Sequence, residues 1–143
     1  MNRDCVIDAS VGIKLFLVEE LSDQADRLFN QLREDPPPQF YVPDLFFAEC
    51  ANVLWKYVRR YGFSAQNARQ DVADLRALEL VAISSTDLLE SALELALAHD
   101  ITVYDATYAA LAAQLELPLV TADASLVRKL KGSGVDVRAL REL

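Results

Sequence analysis

Short apolar runs alternate along the chain with longer stretches in which apolar residues recur every three or four positions. The runs read as strands and the periodic stretches as helices. Cys5-Val6-Ile7 is the first run and ends at Asp8. Ser10 stands as the N-cap of a helix through Val11, Ile13, Leu15 and Phe16. A second amphipathic helix covers residues 22–33, with Ala25, Leu28, Phe29 and Leu32 on one face. Pro36-Pro37-Pro38 ends it, because proline lacks an amide proton and restricts the residue before it, and the stretch to Gln39 is a loop. After Pro43 a strongly apolar helix runs from residue 45 to about 60 and stops at Gly62. Ser64 caps a helix over about 65–78, and residues 80–83 read as a buried strand. Ser85-Thr86-Asp87 opens a Leu- and Ala-rich helix that ends near His99. A further helix covers about 104–115. Leu119-Val120-Thr121 is a strand, Asp123 follows it, and a helix runs over about 124–130. Gly132 and Gly134 make a turn before a last short strand at 135–137.

Strands alternating with helices imply an α/β fold, a parallel sheet covered by helices on both faces. No repeat, low-complexity tract or long linker divides the 143 residues, so one domain over 1–143 is expected. With 52% apolar residues the chain can bury a core. Cys5 and Cys50 lie inside apolar runs, as small buried hydrophobes in a reducing compartment rather than as a disulfide. No segment reaches the roughly 18–20 apolar residues that span a membrane. Met1-Asn2-Arg3-Asp4 leads into a short strand rather than a signal peptide, and a cytoplasmic location is expected.

The net charge of −8 argues against a protein that coats nucleic acid, which needs a basic face. It leaves room for a nuclease, since carboxylates that hold a divalent metal add to the negative total. Most of the 22 acidic residues must be solvated surface. Asp71, Asp74, Glu79, Glu90 and Glu94 read that way. Four differ by their surroundings. Asp8 and Asp123 each follow a strand end, where parallel sheets bind ligands, although an aspartate there also caps the helix that follows. Glu49 interrupts the apolar run from Phe46 to Trp55 and shares a helical face with Asn52 and Lys56. A helix apolar nearly all round is buried, and a buried carboxylate must be paired or metal-bound. Asp105 is a lone acid in the first turn of the apolar helix that begins near Tyr104; there it also suits the positive helix end.

Oxygen donors of this kind suit Mg²⁺ or Mn²⁺, which can activate water and stabilise a leaving oxygen in phosphodiester hydrolysis. Clustered carboxylates also repel one another and hold protons more tightly without metal. Activity that needs divalent metal and falls at acid pH is therefore expected.

Val6-Ile7-Asp8-Ala9-Ser10, Glu49 followed by Asn52-Val53-Leu54, residues 104–112 around Asp105, and Leu119-Val120-Thr121-Ala122-Asp123 occur in an order that resembles the PIN-domain nucleases, in particular VapC-type toxins of toxin–antitoxin pairs. The resemblance spans essentially the whole chain. It implies a three-layer α/β/α sandwich around a short parallel sheet of four or five strands. It implies that Asp8 and Asp105 ligate metal directly, that Asp123 completes the site directly or through water, and that Glu49 holds and helps deprotonate a water. Ser10 and Thr121 match polar positions that could orient these carboxylates. The implied activity is endonucleolytic cleavage of RNA. The implied partners are a cognate antitoxin laid over an apolar groove and a second copy in a homodimer, both needing exposed apolar surface.

Lys56, Arg59 and Arg60 form one basic group and Arg128, Lys129 and Lys131 another; either could meet RNA phosphates or simply complement a helix dipole. Lys14 is a weaker candidate. His99, the sole histidine, reads as surface, which argues against catalysis by paired general acid and base groups of the histidine type. Trp55 reads as core or an interface anchor. An aspartyl-phosphate phosphatase would need an acid two residues after Asp8, where Ser10 stands. A receiver-like module would need a phospho-acceptor after a middle strand, where residues 80–83 lead to Ser84-Ser85. A non-catalytic interaction module with incidental acids is the remaining alternative.

Overall fold

The computed structural model describes residues 3–143. Met1 and Asn2, which open the segment read as lacking a leader, lie outside the described residues. Five strands, β1 (Cys5–Ile7), β2 (Phe40–Pro43), β3 (Leu80–Ile83), β4 (Leu119–Thr121) and β5 (Val137–Ala139), form one parallel sheet in the order β3-β2-β1-β4-β5. Among the described residues seven α-helices surround it: α1 (Ala9–Gly12), α2 (Ser22–Asn30), α3 (Leu45–Tyr61), α4 (Ala65–Ala77), α5 (Leu89–His99), α6 (Val103–Leu115) and α7 (Ala124–Lys129). The expected three-layer α/β/α architecture is the one found.

The chain moves outward from β1 to β2 and β3, then crosses back to β4 and β5. The connections leaving β1 and β4 therefore diverge, and a crevice opens at the carboxyl ends of these neighbouring strands. Val6 pairs with Leu119 and Ile7 with Val120, which sets Asp8 beside Thr121.

Helix α6 is the central support. Residues 106–112 are all buried, and the helix packs on β1, β2, β4 and α5. A helix apolar on every side has no solvent face to present. Each large apolar side chain buried in such a core contributes about 1.5–3 kcal/mol, enough in sum to hold unfavourable carboxylates in place. Helix α1 closes on α3 through Gly12: a Cβ there would lie 2.5 Å from Phe46 Cζ. The missing side chain lets the helix behind Asp8 approach the helix that carries Glu49.

Several local expectations change. Strand β2 was not foreseen, because Phe40-Tyr41-Val42-Pro43 is short, follows three prolines and itself ends in proline. It is stabilised by parallel pairing to both β1 and β3. Ser10 does not cap α1. Asp8 occupies the cap position and Ser10 lies inside the helix, which tightens into a 3-10 turn at Ile13–Leu15. Strand β3 is a half-exposed edge rather than a buried strand. Helix α3 buries only Phe46, Cys50 and Leu54, and Trp55 is 56% exposed. The last strand forms two residues later than expected, because Gly134 takes a positive φ of 85° and the turn extends further. Asp71 is not simple solvated surface, since its Oδ2 is buried without a hydrogen-bond partner among the described residues. Cys5 and Cys50 are buried free thiols, as expected. Burial pushes the Cys5 thiol up to about 12. Among the described residues no helix is long and apolar enough to cross a membrane.

Candidate active site

Asp8 is 6% exposed at the end of the central strand. Two hydroxyls serve one of its oxygens: Ser10 Oγ donates to Oδ2 at 2.6 Å and Thr121 Oγ1 donates to the same atom at 2.9 Å. Those hydroxyls in turn accept from the backbone of the neighbouring strand end. Ala122 N–H donates to Ser10 Oγ at 3.0 Å and Asp123 N–H to Thr121 Oγ1 at 3.1 Å. This network ties the ends of β1 and β4 together and fixes the Asp8 carboxylate. Burial nevertheless raises its pKa, and the nearby Asp123 charge adds to the rise against the hydroxyl bonds.

Asp123 fills the cap position of α7, with Oδ1 accepting from Ser125 N–H at 2.9 Å and Leu126 N–H at 3.3 Å. Its capping role and its place beside Asp8 coexist. Asp105 stands in the first turn of α6, where Thr102 caps the helix by accepting from the Asp105 N–H. Burial, then the charges of Asp8 and Asp123, push the Asp105 carboxyl up to about 6. Glu49, half-buried on α3, is raised by burial and by Asp8 and Asp105, while a hydrogen bond from Tyr108 opposes the rise. Tyr108 Oη donates to Glu49 Oε1 at 2.7 Å.

Acids separated by up to 115 positions in sequence thus act electrostatically on one another at one end of the sheet. Their side chains remain spread. Among the described residues no three of Asp, Glu, His or Cys are drawn together into a ready metal cage.

A cleft of about 290 Å³ adjoins them, lined by Thr102, Asp105, Asp123, Ser125 and Lys129 among others. Among the described residues Lys129 is its one cation, and Lys129 Nζ donates to the Asp100 carbonyl at 3.2 Å. Of the other basic candidates, Lys14 is tied to Glu19 at 2.9 Å and Arg59 lies over Trp55 at 5.8 Å. Lys56, Arg60, Arg128 and Lys131 are exposed, and His99 sits in the last turn of α5. Asn52 is exposed and forms no side-chain hydrogen bond among the described residues. Tyr108 was missed by sequence reasoning; the only signal was its position three residues after Asp105 on the same helix.

The surrounding fold has known relatives. Ribonuclease VapC3 of Pyrobaculum aerophilum is 38% identical over 128 residues, covering 87% of this chain and 92% of that protein. A crystal structure from Pyrobaculum aerophilum superimposes with a TM-score of 0.71 at 23% identity, covering 99% of this chain and 94% of the other. Mycobacterium tuberculosis VapC20, described as a sarcin–ricin loop cleaving toxin, superimposes with a TM-score of 0.67 at 18% identity, covering 92% and 95%. The PIN domain family profile matches residues 5–131, a span that holds all four acids, the hydroxyls on Asp8 and the crevice between β1 and β4. This chain belongs to the PIN domain family.

Proposed function

We propose that this protein is a metal-dependent endoribonuclease, the toxin of a type II toxin–antitoxin pair, acting as a single domain in the cytoplasm. The carrying observation is Asp8. A carboxylate buried at the central strand end, held by two hydroxyls and flanked by three further acids, raises the folding cost of its own charge. A divalent cation is the ligand that relieves that cost. The relationship to a ribonuclease at 38% identity supports RNA as the substrate.

The donor set fits Mg²⁺ or Mn²⁺, being carboxylates and hydroxyls with no thiolate or imidazole in it. Asp8, Asp105 and Asp123 would hold the ion, which would supply charge neutralisation and Lewis acidity. The chain's own groups do the remainder. Ser10 and Thr121 orient Asp8 through Oδ2 and leave Oδ1 free of both hydroxyls. Glu49, with Oε1 occupied by Tyr108, accepts the proton of the attacking water at Oε2. The water oxygen bonds to phosphorus, and the bond to the leaving oxygen breaks. Lys129 at the cleft wall contacts the phosphate. Tyr104, 66% exposed and adjacent to Asp105, offers a face for a base.

Leu89, Leu93 and Leu97 form an exposed stripe along α5, and Trp55 and Tyr61 are exposed on α3. Apolar surface of this kind suits an antitoxin and a second copy of the chain. A toxin–antitoxin complex from Klebsiella pneumoniae shares this fold at 20% identity, which supports that reading. Purified protein incubated with RNA and Mn²⁺, against Asp8→Asn and against excess chelator, tests the reading. Equal cleavage in all three would overturn it.

A further inference from the structure

Tyr108 is wholly buried yet carries a hydroxyl, and among the described residues that hydroxyl makes one hydrogen bond, to Glu49 Oε1 at 2.7 Å. A phenol in an apolar core is tolerated when its oxygen has a partner. Here the partner comes from another helix and belongs to the acid set. Asp105 lies three residues earlier on α6, one turn away on the same face. One rigid helix therefore contributes one carboxylate and grips another that α3 contributes.

Glu49 needs that grip. It is half-buried, has three rotatable side-chain bonds, and is repelled by Asp8 and Asp105. Repulsion and hydration together favour rotation out to solvent. The phenol opposes them. The Cys50 thiol also lies beside the pair, and burial holds that thiol neutral.

We propose that Tyr108 is a positioning residue, whose hydroxyl holds Glu49 by Oε1 against its like-charged neighbours and so reserves Oε2 for the attacking water. This rests on the ribonuclease reading. The phenol keeps its proton, since burial and the adjacent acids push its pKa upward, so it acts as a fixed donor rather than as a proton carrier.

Tyr108→Phe keeps the ring and deletes only the donor. The kcat for Mn²⁺-dependent RNA cleavage should fall about ten- to a hundred-fold, the value of a hydrogen bond to a charged group, with KM changed less than about two-fold. In a Glu49→Gln background the same substitution should cost less than about two-fold, because the residue acts through Glu49. In metal-free protein, carboxyl ¹³C NMR should show Glu49 titrating at higher pH in Tyr108→Phe than in wild type. In the wild type the Tyr108 hydroxyl proton should give a slowly exchanging resonance, a measurement that needs no variant to fold. Wild-type rates in Tyr108→Phe, equal losses in both backgrounds, an unmoved Glu49 titration or a rapidly exchanging hydroxyl would each overturn the positioning role. A wild-type protein that cleaves no RNA with either metal would overturn the ribonuclease reading, and the catalytic part of this role with it.

Discussion

Asp8 and Asp44 are near twins in local chemistry and opposites in behaviour. Each follows the last residue of a parallel strand, β1 and β2 respectively. Each accepts a serine hydroxyl at 2.6 Å, from Ser10 or from Ser85. Asp44 also takes the Ser85 N–H at 3.0 Å, is solvent-exposed, and is held below its usual pKa by those two bonds. Asp8 is buried among other acids and is raised despite its hydroxyls. The difference is position in the sheet. β1 is central and its end faces the crevice opposite Asp123, whereas β2 lies next to the edge strand β3. A hydroxyl contact at a strand end does not itself raise a carboxylate's pKa; burial beside like charges does.

Asp8→Asn should give the largest effect, a loss of RNA cleavage on the order of 10³-fold. Asp44→Asn should remain within about two-fold of wild type in the same assay. Asp8→Asn should also melt no lower than wild type without metal, because the asparagine oxygen still accepts from Ser10 while the buried charge is gone. A clear drop in melting temperature would mean that Asp8 is structural like Asp44. Saturating Mn²⁺ should next raise wild-type stability by about 2.7 kcal/mol at a hundredfold excess over Kd. The Asp44→Asn variant should share that gain and Asp8→Asn should lose most of it, read by calorimetry.

Gly12→Ala sharpens the same contrast, since Gly12 sets the spacing of the Asp8 side of the crevice against α3. Overpacking against Phe46 should cost about 1–3 kcal/mol, and Phe46→Leu in the same chain should recover part of it. Urea denaturation would show this, and full stability in Gly12→Ala alone would mean that the helix shifts freely.

The two classes of acid should have opposite pH signatures in metal-free protein. Asp105 is raised from an unfolded value near 3.8 to about 6. The folded state thus binds more protons in that window, and stability falls as pH rises through it. Asp44 is lowered, so its contribution is present above its unfolded pKa and disappears as pH falls through the folded one. Melting temperatures in EDTA should show Asp105→Asn gaining on wild type as pH rises from 3.8 to about 6. Asp44→Ala should lose most at neutral pH, by a small amount that solvent screening limits, and converge with wild type in acid.

Much of this was legible in the chain, for local reasons. Val6-Ile7-Asp8 and Leu119-Val120-Thr121 are apolar runs with an acid just beyond them, and strand ends of that form need no tertiary knowledge to be seen. The apolar stretch after Tyr104 identifies a buried helix by pattern alone, and seven residues of α6 are indeed buried. Strand β2 was hidden because its pairing is non-local: Pro43 opposes a strand by local rules, and only β1 and β3 on either side make those residues extend. With β2 unseen, Asp44 had no reason to be set beside Asp8.

By itself the sequence determined the alternation of strands and helices, the two acids that follow strand ends and the two that interrupt apolar helices, and the order in which they occur. Only the tertiary structure decided which acids meet. It placed β1 between β2 and β4, moved Ser10 from a capping role to the Asp8 carboxylate, and brought Tyr108 under Glu49 from 59 residues away. Periodicity records which side of an element is apolar. The neighbours of a carboxylate, and so its charge, depend on strand order and helix packing that no local pattern encodes.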